Sequence, residues 1–433
     1  MRVSIQTLGS LGDVMPYIST AQALIAGGAE ISLMAPREYT AMIAAHGITP
    51  AMAPDFSLMA WNAEAGRRGT LSDPISFFRD WGEMVAPYVE DITAHCLMAA
   101  EHADIILGNS ICAPARVAAE AYGIPYILNA HQPAISPTCE VPCAMMWRPW
   151  QGNWLNRAGY VTVGIAQRLM LEALKDQRRA LSLRPIPEGG TRWHLGQPLA
   201  RVTSVSPALM PARPADWYAN DQLMPYPSLD LQETEGLPAA LLDFLGDGAP
   251  PIHVGLGSFE SEAEQDHVAV LLRAIRRAGL RAIVSAGLAD LMPADLVEGH
   301  FVSGHAPHPA LFPLCAGVIH HGGAGTLDTA LRAGTPQLIL PDRLDQFWHG
   351  ARLHEIGVSP AHITARASED EMTERLRQLV SPRMKERAQA LAPALRARDG
   401  AADLAAFTRA ETERFRQNAR GSRRSGIPPA HPP

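Results

Sequence analysis

Two glycine-rich stretches of the sequence, residues 9–13 (Gly-Ser-Leu-Gly-Asp) and residues 321–326 (His-Gly-Gly-Ala-Gly-Thr), each follow a short apolar run. Glycines allow the backbone to turn tightly and to approach a ligand closely. Thr326 opens a helical pattern, so unpaired amides and the positive end of a helix dipole would face an anion there. Thr326 adds a hydroxyl donor and His321 an imidazole, and this set predicts a diphosphate site. The alternative is a tight turn beside a buried histidine, because a glycine-rich turn alone is a weak signal.

The first stretch ends in Asp13, whose carboxylate is a candidate general base. A positioned base typically contributes about 10²–10⁴-fold to a rate. The alternative is a structural role, because aspartate readily caps a helix and Pro16 predicts a helix start just beyond it. Three histidines, His46, His95 and His131, could assist or replace this base. His131 is the best placed, because it follows the predicted strand at 126–128 and so lies at the same edge of the sheet; the alternative for each is a packed or solvated histidine.

The elements around both stretches alternate between apolar strands and amphipathic helices. Short apolar runs of this kind are typical of parallel strands that are buried on both faces. The alternation predicts a doubly wound parallel sheet in each half of the chain, and such sheets bind ligands beyond the carboxyl ends of their strands. The predicted strands span residues 3–7, 31–34, 104–107, 126–128, 252–256, 282–285, 301–302, the run around 318, and 337–340.

A chain of 433 residues exceeds the size at which one hydrophobic core stops growing, so two domains are expected. We place the first at 1–230 and the second at 237–400, because prolines concentrate between 207 and 227 and predict an extended linker there. Prolines and tryptophans interrupt the alternation at about 132–187, which we interpret as an insertion in the first domain. The tail at 420–433 is basic, then proline-rich, and is predicted to be disordered.

Composition argues against several classes of partner and site. The net charge of −7 and the pI near 6.1 argue against nucleic acid, whose phosphates are bound by clustered lysine and arginine. The five cysteines are scattered and odd in number, which favours a reducing compartment over a disulfide framework, and no structural metal is expected. The N-terminus begins directly with a strand, and no apolar run reaches the ~20 residues that span a bilayer. The sequence therefore predicts a cytoplasmic location.

The second glycine-rich stretch continues in an ordered series of short motifs. After residues 321–326 come Gly-Thr-Pro at 334–336, then Pro341, then Asp345 and Gln346. This series resembles the donor-sugar signature of the family 1 inverting glycosyltransferases. The resemblance implies the GT-B fold: two Rossmann-like doubly wound domains that face each other across a cleft.

The first glycine-rich stretch carries a resemblance of its own. With the residues that follow it, it reads Gly-Ser-Leu-Gly-Asp-Val-Met-Pro over 9–16. This segment resembles the Gly-Ser-Arg-Gly-Asp-Val-x-Pro opening of sterol glucosyltransferases, antibiotic (macrolide and glycopeptide) glycosyltransferases and rhamnosyltransferases, with Leu11 in place of the arginine. In the GT-B fold the final helix commonly returns to the first domain, and here residues 401–419 are expected to do so.

The resemblance assigns roles to individual residues. It implies that Asp13 is the general base and that Asp345 and Gln346 contact the sugar hydroxyls. His305 stands where plant enzymes carry a base-stacking tryptophan, and His308 where they carry a glutamine. The other residues are assigned by ligand. The donor diphosphate is expected to contact Gly12, Ser258, His321, Gly323, Ala324, Gly325 and Thr326. The nucleoside is expected to contact His305, Ala306 and His308, and the acceptor His131 and Trp147.

The implied reaction is transfer of a hexose, with inversion and without a metal or other cofactor, from a nucleotide diphosphate sugar to a hydroxyl of a lipophilic acceptor. A UDP-sugar is the favoured donor, and a sterol, carotenoid, lipid or polyketide-like alcohol the favoured acceptor. The apolar residues of the insertion at 132–187 suit a greasy acceptor or peripheral contact with a membrane, or pack the core of the first domain. A non-catalytic nucleotide-sugar-binding accessory protein and a GT-B nucleotide-sugar epimerase remain as alternatives.

Overall fold

The computed structural model describes residues 1–57, 86–146, 152, 154–183, 199–228, 236–256, 262–290, 292–304, 306–342, 344–364 and 367–425. The elements of the first half are β1 (Arg2–Gln6), α1 (Leu11–Ala26), β2 (Glu30–Met34), α2 (Thr40–Ala45), α3 (Val89–Ala100), β3 (Ile105–Asn109), α4 (Ala113–Tyr122), β4 (Tyr126–Ala130), α5 (Trp154–Ala173), α6 (Lys175–Ala180), β5 (Leu199–Ser204) and β6 (Asp221–Met224). The strands form one parallel sheet in the order β2-β1-β3-β4-β5-β6. Helices cover both faces, and β3 and β4 are buried along their whole length.

The second half is built on a separate five-stranded parallel sheet. Its elements are α7 (Ala239–Gly246), β7 (Ile252–Gly255), α8 (Glu262–Arg277), β8 (Ala282–Ser285), α9 (Ala286–Ala289), α10 (Ala294–Val297), β9 (Phe301–Ser303), α11 (His308–Leu311), β10 (Gly317–His320), α12 (Ala324–Ala333), β11 (Gln337–Ile339), α13 (Gln346–Glu355), α14 (Glu369–Leu379), α15 (Pro382–Arg396) and α16 (Gly400–Ser425). The strand order is β11-β10-β7-β8-β9, all parallel. The predicted doubly wound sheets are confirmed in both halves.

Each sheet has one point at which the strand order reverses. In the first sheet that point lies between β1 and β3, and in the second between β7 and β10. Loops that leave neighbouring strands there diverge to opposite faces and open a crevice, which is where sheets of this class bind ligands. The connection from β1 leads directly into the helix turn that carries Asp13, and the loop that carries His321 leaves β10. The two glycine-rich stretches thus occupy the two crevices.

The prediction that α1 begins near Pro16 is wrong, because the helix begins at Leu11 with Ser10 as its N-cap residue. Pro16 lies inside the helix, where it has no N–H to donate to the carbonyl four residues earlier. That carbonyl belongs to Gly12, and it accepts a hydrogen bond of 3.2 Å from the Tyr226 hydroxyl instead. Asp13 consequently stands in the first turn of a helix rather than on a loop.

The extended linker predicted at 207–227 is also corrected, because β6 lies within it and completes the first sheet together with β5. The sequence pattern concealed this pair of strands, since charged residues occupy them. Arg201 and Asp221 form an ion pair in which both side chains are 1% exposed, and Ser136 donates to Asp221 at 2.8 Å. Buried charges of this kind interrupt an apolar pattern although they are fully paired.

The final helix α16 returns to the first half, as predicted, and packs against α1. Leu404 and Ala405 join the apolar cluster formed by β1 and α1. Arg409 donates to the carbonyls of Ala23 and Leu24 at 3.0 and 3.3 Å, near the C-terminus of α1. The helix continues to Ser425, so the tail predicted to be disordered from 420 is helical in its first part, and residues 426–433 lie outside the described residues.

The two halves share an apolar cluster, so they are packed against each other. Its members come from the segment after β4, the connection between β5 and β6, α12, β11, α13, the turn that follows α13, and α15: Ala144, Val205, Leu209, Met210, Trp217, Leu327, Leu331, Ile339, Trp348, Leu353, Val358, Ala388 and Leu395. The predicted domain boundary at 229–237 lies largely outside the described residues. In the part of the chain that the structure describes, no helix is both long enough and apolar enough to cross a membrane.

Candidate active site

Asp13 is held by both of its carboxylate oxygens. One oxygen accepts hydrogen bonds from the Ser10 amide at 2.9 Å and from the Ser10 hydroxyl at 3.1 Å, which is the capping role that the sequence left open. The other oxygen accepts a hydrogen bond of 3.2 Å from the side-chain nitrogen of Asn109. A Cβ at residue 9 would lie 2.3 Å from this carboxylate, so glycine is needed there to make room for it.

Asn109 is a site residue that the sequence analysis missed. It is the last residue of β3, on the other side of the crevice from the loop that leaves β1. Its side-chain oxygen accepts a hydrogen bond of 2.9 Å from the amide of Ile111, which orients its NH₂ group toward Asp13. The sequence shows only a polar residue two positions after the predicted strand at 104–107, and no local pattern pairs Asn109 with Asp13.

The environment of Asp13 raises the pKa of its carboxyl group. Burial is the largest cause, hydrogen bonds from Ser10 and Asn109 oppose it, and the carboxylate of Asp345 adds to the increase. Burial also raises the pKa of Asp345, and the nearby imidazole of His349 partly opposes this increase. Asp13 follows β1 and Asp345 follows β11, so the effect of Asp345 on the pKa of Asp13 links two predicted site residues that belong to different halves.

A buried histidine forms a hydrogen bond with the backbone of the second glycine-rich turn. The ring of His320, at the end of β10, accepts from the amide of Gly322 at 3.1 Å and pairs with Gln337 at 2.8 Å. Since one ring nitrogen accepts, the other carries the proton and donates to the Gln337 oxygen. Burial lowers the pKa of His320 to about 3, so the ring is neutral. His320 is therefore the buried structural histidine of this turn, and the residue predicted to bind the diphosphate is its neighbour, His321.

Tight packing explains the glycines of this turn. Gly322 has φ +101°, and a Cβ there would lie 3.0 Å from Ile339 and 3.3 Å from Gln346. A Cβ at Gly323 would lie 2.7 Å from a ring nitrogen of His321. His349 donates to the Gly322 carbonyl at 2.8 Å, so histidines hydrogen-bond both the amide and the carbonyl of Gly322.

Helix α12 begins at Ala324, directly after this turn, with Gly323 as its N-cap residue. The amides of the first helical turn, which include those of Gly325 and Thr326, have no carbonyl partner within a helix. The predicted residues from His321 to Thr326 are thus collected at one helix N-terminus. That arrangement can bind a diphosphate through amides and the helix dipole.

Asp345 and Gln346 stand at the start of α13, beside the same turn. Asp345 occupies the N-cap position, yet its side chain accepts no capping hydrogen bond in the described structure, so capping does not account for it. The Gln346 side chain accepts from the amide of Asp342 at 2.7 Å and closes the loop. The preceding Leu344 has φ +48° and packs against the apolar cluster of the first half. A strained residue therefore carries this loop across the interface.

The predicted nucleoside residues are placed only in part. Ala306 is buried, and His308 stacks on Phe312 with ring centroids 4.5 Å apart and an interplanar angle of 18°. The ring of His253 meets His308 edge-on at 5.2 Å. Burial, with a contribution from His308, lowers the pKa of His253 to about 3. His305, Ser258 and Trp147 lie outside the described residues.

His131 is enclosed between two tyrosine rings, one tilted and one edge-on to it. Its ring is 5.4 Å from Tyr17 and 5.4 Å from Tyr226, and the side chain is 3% exposed. Burial lowers its pKa to about 3, so the imidazole is neutral. In this structure His131 does not face the crevice surface, and its predicted contact with an acceptor stays a prediction. The described residues contain no cluster of three or more His, Cys, Asp or Glu side chains that could hold a metal ion.

Solved structures share this architecture over nearly the whole chain. The glycosyltransferase of kitacinnamycin superposes with a TM-score of 0.69 at 17% identity, covering 95% of this chain and 98% of its own. A spinosyn rhamnosyltransferase complexed with thymidine diphosphate superposes with a TM-score of 0.61 at 22% identity, covering 94% and 99%. The two parallel-sheet domains and the returning helix define the GT-B fold, as predicted.

Sequence comparison specifies the family. The vancomycin aglycone glucosyltransferase of Amycolatopsis orientalis is 32% identical over 422 residues, covering 93% of this chain and 95% of the relative. A sterol 3-beta-glucosyltransferase of Arabidopsis thaliana is 28% identical over 428 residues, covering 94% and 68%. Residues 292–406 match the family model of the erythromycin biosynthesis protein CIII-like C-terminal domain. The chain belongs to the family 1 glycosyltransferases, and it is an enzyme of the hexosyltransferase type.

Proposed function

We propose that this enzyme transfers a hexose from a nucleotide diphosphate sugar, with inversion and without a metal, to a hydroxyl of a lipophilic acceptor, and that Asp13 is the general base. One observation carries the proposal. The Asp13 carboxylate, oriented by Ser10 and Asn109 at the crevice of the first sheet, lies in the first turn of α1. The Tyr226 hydroxyl that donates to Gly12 in that turn also lies against Gly325 at the start of α12 in the second half, so each half contributes to one site. A base and a donor site on facing sides of an interface are what transfer between two bound substrates requires.

The donor diphosphate would bind at the turn from His321 to Thr326. The first-turn amides of α12, the Thr326 hydroxyl and the His321 imidazole supply donors to its oxygens, and they stabilise the charge that develops when the sugar–diphosphate bond breaks. Asp345 and Gln346, next to this turn, would bind hydroxyls of the sugar. The charge of the leaving group is thereby met by the protein's own dipoles and donors.

The acceptor would lose its proton to Asp13. As the acceptor oxygen attacks the anomeric carbon from the face opposite the diphosphate, a new C–O bond forms, the bond to the diphosphate breaks and the hydroxyl proton passes to the carboxylate. A carboxylate whose pKa is raised is a stronger base than an exposed aspartate, which suits this step. The hydrogen bond from Asn109 keeps the carboxylate oriented toward the crevice.

Relatives and surface composition support a lipophilic acceptor. The two relatives described above carry names that specify a vancomycin aglycone and a sterol as their acceptors. In the described part of the 132–187 region, Trp154, Val161 and Ile165 of α5 are 71%, 52% and 50% exposed. We favour a UDP-sugar as donor, although one structural neighbour holds thymidine diphosphate, so donors of both kinds belong in the test.

The test measures release of nucleotide diphosphate from a panel of UDP- and dTDP-sugars, with and without a mixture of lipophilic alcohols. Acceptor-dependent release is expected from the wild type. In Asp13→Asn, which keeps the shape of the side chain, kcat should fall about 10²–10⁴-fold. Asp176→Asn is the matched control, because Asp176 is 84% exposed on α6, and it should retain full activity.

Other outcomes favour the alternatives. Donor binding without release by any variant would indicate a non-catalytic accessory protein. Conversion of the donor sugar without an acceptor would indicate an epimerase. Equal transfer by the wild type and Asp13→Asn would keep the glycosyltransferase and remove Asp13 from its role as base.

A further inference from the structure

Tyr226 lies between the parts of the two halves that carry the site. Its side chain is 3% exposed, and its hydroxyl donates to the Gly12 carbonyl at 3.2 Å, in the first turn of α1 and next to Asp13. The Gly12 carbonyl is available because Pro16 has no N–H to donate to it. The proline inside the helix thus leaves the Gly12 carbonyl to a tyrosine 214 residues further along the chain, and the resulting contact lies beside the proposed base.

The same hydroxyl touches the second half. A Cβ at Gly325, the second residue of α12, would lie 3.2 Å from the Tyr226 oxygen, so glycine allows the N-terminus of α12 to come this close. A Cβ at Gly400, where α16 begins, would lie 2.4 Å from the Pro225 carbonyl oxygen and 2.5 Å from that of Tyr226. One short segment is therefore packed at once by the helix that carries Asp13, by the helix of the diphosphate turn and by the returning helix.

Hydrogen bonds further along this segment join the same two helices. Ser19 of α1 donates to the Ser228 carbonyl at 2.7 Å, and the Ser228 hydroxyl donates to Asp328 of α12. Asp328 is 1% exposed and forms an ion pair of 2.7 Å with Arg332. Since Asp328 is buried and charged, this second contact is costly to break. Tyr226 supplies the contact nearest to the reacting groups, and Ser228 the one farther from them.

We propose that Tyr226 is a positioning residue for glycosyl transfer, which fixes the distance between Asp13 and the diphosphate turn through its contacts with Gly12 and Gly325. The inference rests on the proposed function for its catalytic readout. Tyr226 is itself too deeply enclosed to touch a substrate, and it acts through the two helix N-termini. Reactions that join two bound groups are sensitive to such placement, and a misplacement of about 1 Å costs on the order of 10²-fold.

The test combines Tyr226→Phe with Pro16→Ala. Tyr226→Phe keeps the ring and removes the hydroxyl, and we expect kcat to fall about tenfold with the KM for the donor within about twofold of the wild type. In the double variant, the new amide N–H at residue 16 can donate to the Gly12 carbonyl, as in any helix. The melting temperature should then return to that of Pro16→Ala, whereas kcat should stay low, because the contact with the second half is not restored. Tyr122→Phe, on the exposed surface of α4, is the matched control.

Hydrogen exchange of the free protein gives a readout that needs no substrate. In Tyr226→Phe, amides at 11–15 and at 324–328 should both exchange faster, and only the first group should recover in the double variant. Recovery of kcat together with the melting temperature, or unchanged kcat in Tyr226→Phe, would overturn the inference and leave Tyr226 a merely structural residue. If the wild type transfers no sugar, the proposed function fails, and the exchange pattern alone then decides for or against Tyr226.

Discussion

The two glycine-rich turns have the same construction but opposite electrostatic character. Each leaves a parallel strand beside a strand-order reversal and leads into a helix. In the first, the N-terminus of α1 is met by the chain's own Asp13, which accepts from the Ser10 amide. In the second, the turn before α12 brings no carboxylate of its own to the first helical turn. One helix N-terminus thus orients a base, and the other is suited to an anion from outside.

This comparison predicts that equivalent glycine substitutions will damage different steps. In Gly9→Ala the new methyl group would lie 2.3 Å from the Asp13 carboxylate and displace it. We expect kcat to fall about 10²-fold, with the affinity for UDP or dTDP unchanged, as measured by calorimetry. Gly246→Ala is the control, because nothing lies within 4 Å of a Cβ there. Loss of nucleotide affinity in Gly9→Ala would show that the first turn also contributes to donor binding.

The second turn should respond in the opposite way. In Gly322→Ala the backbone at φ +101° is strained and the methyl group would press on Ile339. We expect the affinity for the nucleotide diphosphate to fall about 10–100-fold, because about 1–3 kcal/mol of strain acts on the turn that holds the diphosphate. Gly47→Ala shares the strained backbone, with φ +73°, but has open space around it and lies away from the site. Equal effects of the two variants on affinity would mean that global destabilisation, and not the turn, is responsible.

Features that depend on neighbouring residues could be predicted from the sequence, whereas features that depend on residues distant in the chain could not. Glycine spacing and buried apolar runs predicted both turns and both sheets, because each pattern is local to one strand–turn–helix unit. The hydrogen bond from Asn109 to Asp13 spans 96 residues, so no local pattern announces it. The ion pair between Arg201 and Asp221 concealed two strands for the same reason: each charge looks exposed until its partner is known.

The smallest predicted effect concerns stability rather than catalysis. Burial raises the pKa of Asp13 in the folded state above its unfolded value. The folded protein therefore binds this proton more tightly than the unfolded chain, and stability decreases as the pH rises from the unfolded pKa through the folded one. At pH 7 the wild type carries the cost of a partly buried charge, and at acid pH the protonated group carries none.

Asp13→Asn removes that charge, so its melting temperature at pH 7 should exceed that of the wild type by about 1–3 °C, although its kcat is expected to fall. The difference should shrink as the pH is lowered through the pKa of Asp13, and scanning calorimetry from pH 7 to pH 4 measures it. The control variant Asp176→Asn, at an exposed position, should show no such difference in melting temperature at either pH. A lower melting temperature for Asp13→Asn at pH 7 would mean that the hydrogen bonds from Ser10 and Asn109 outweigh burial. The first turn would then be built for stability as well as for orienting a base.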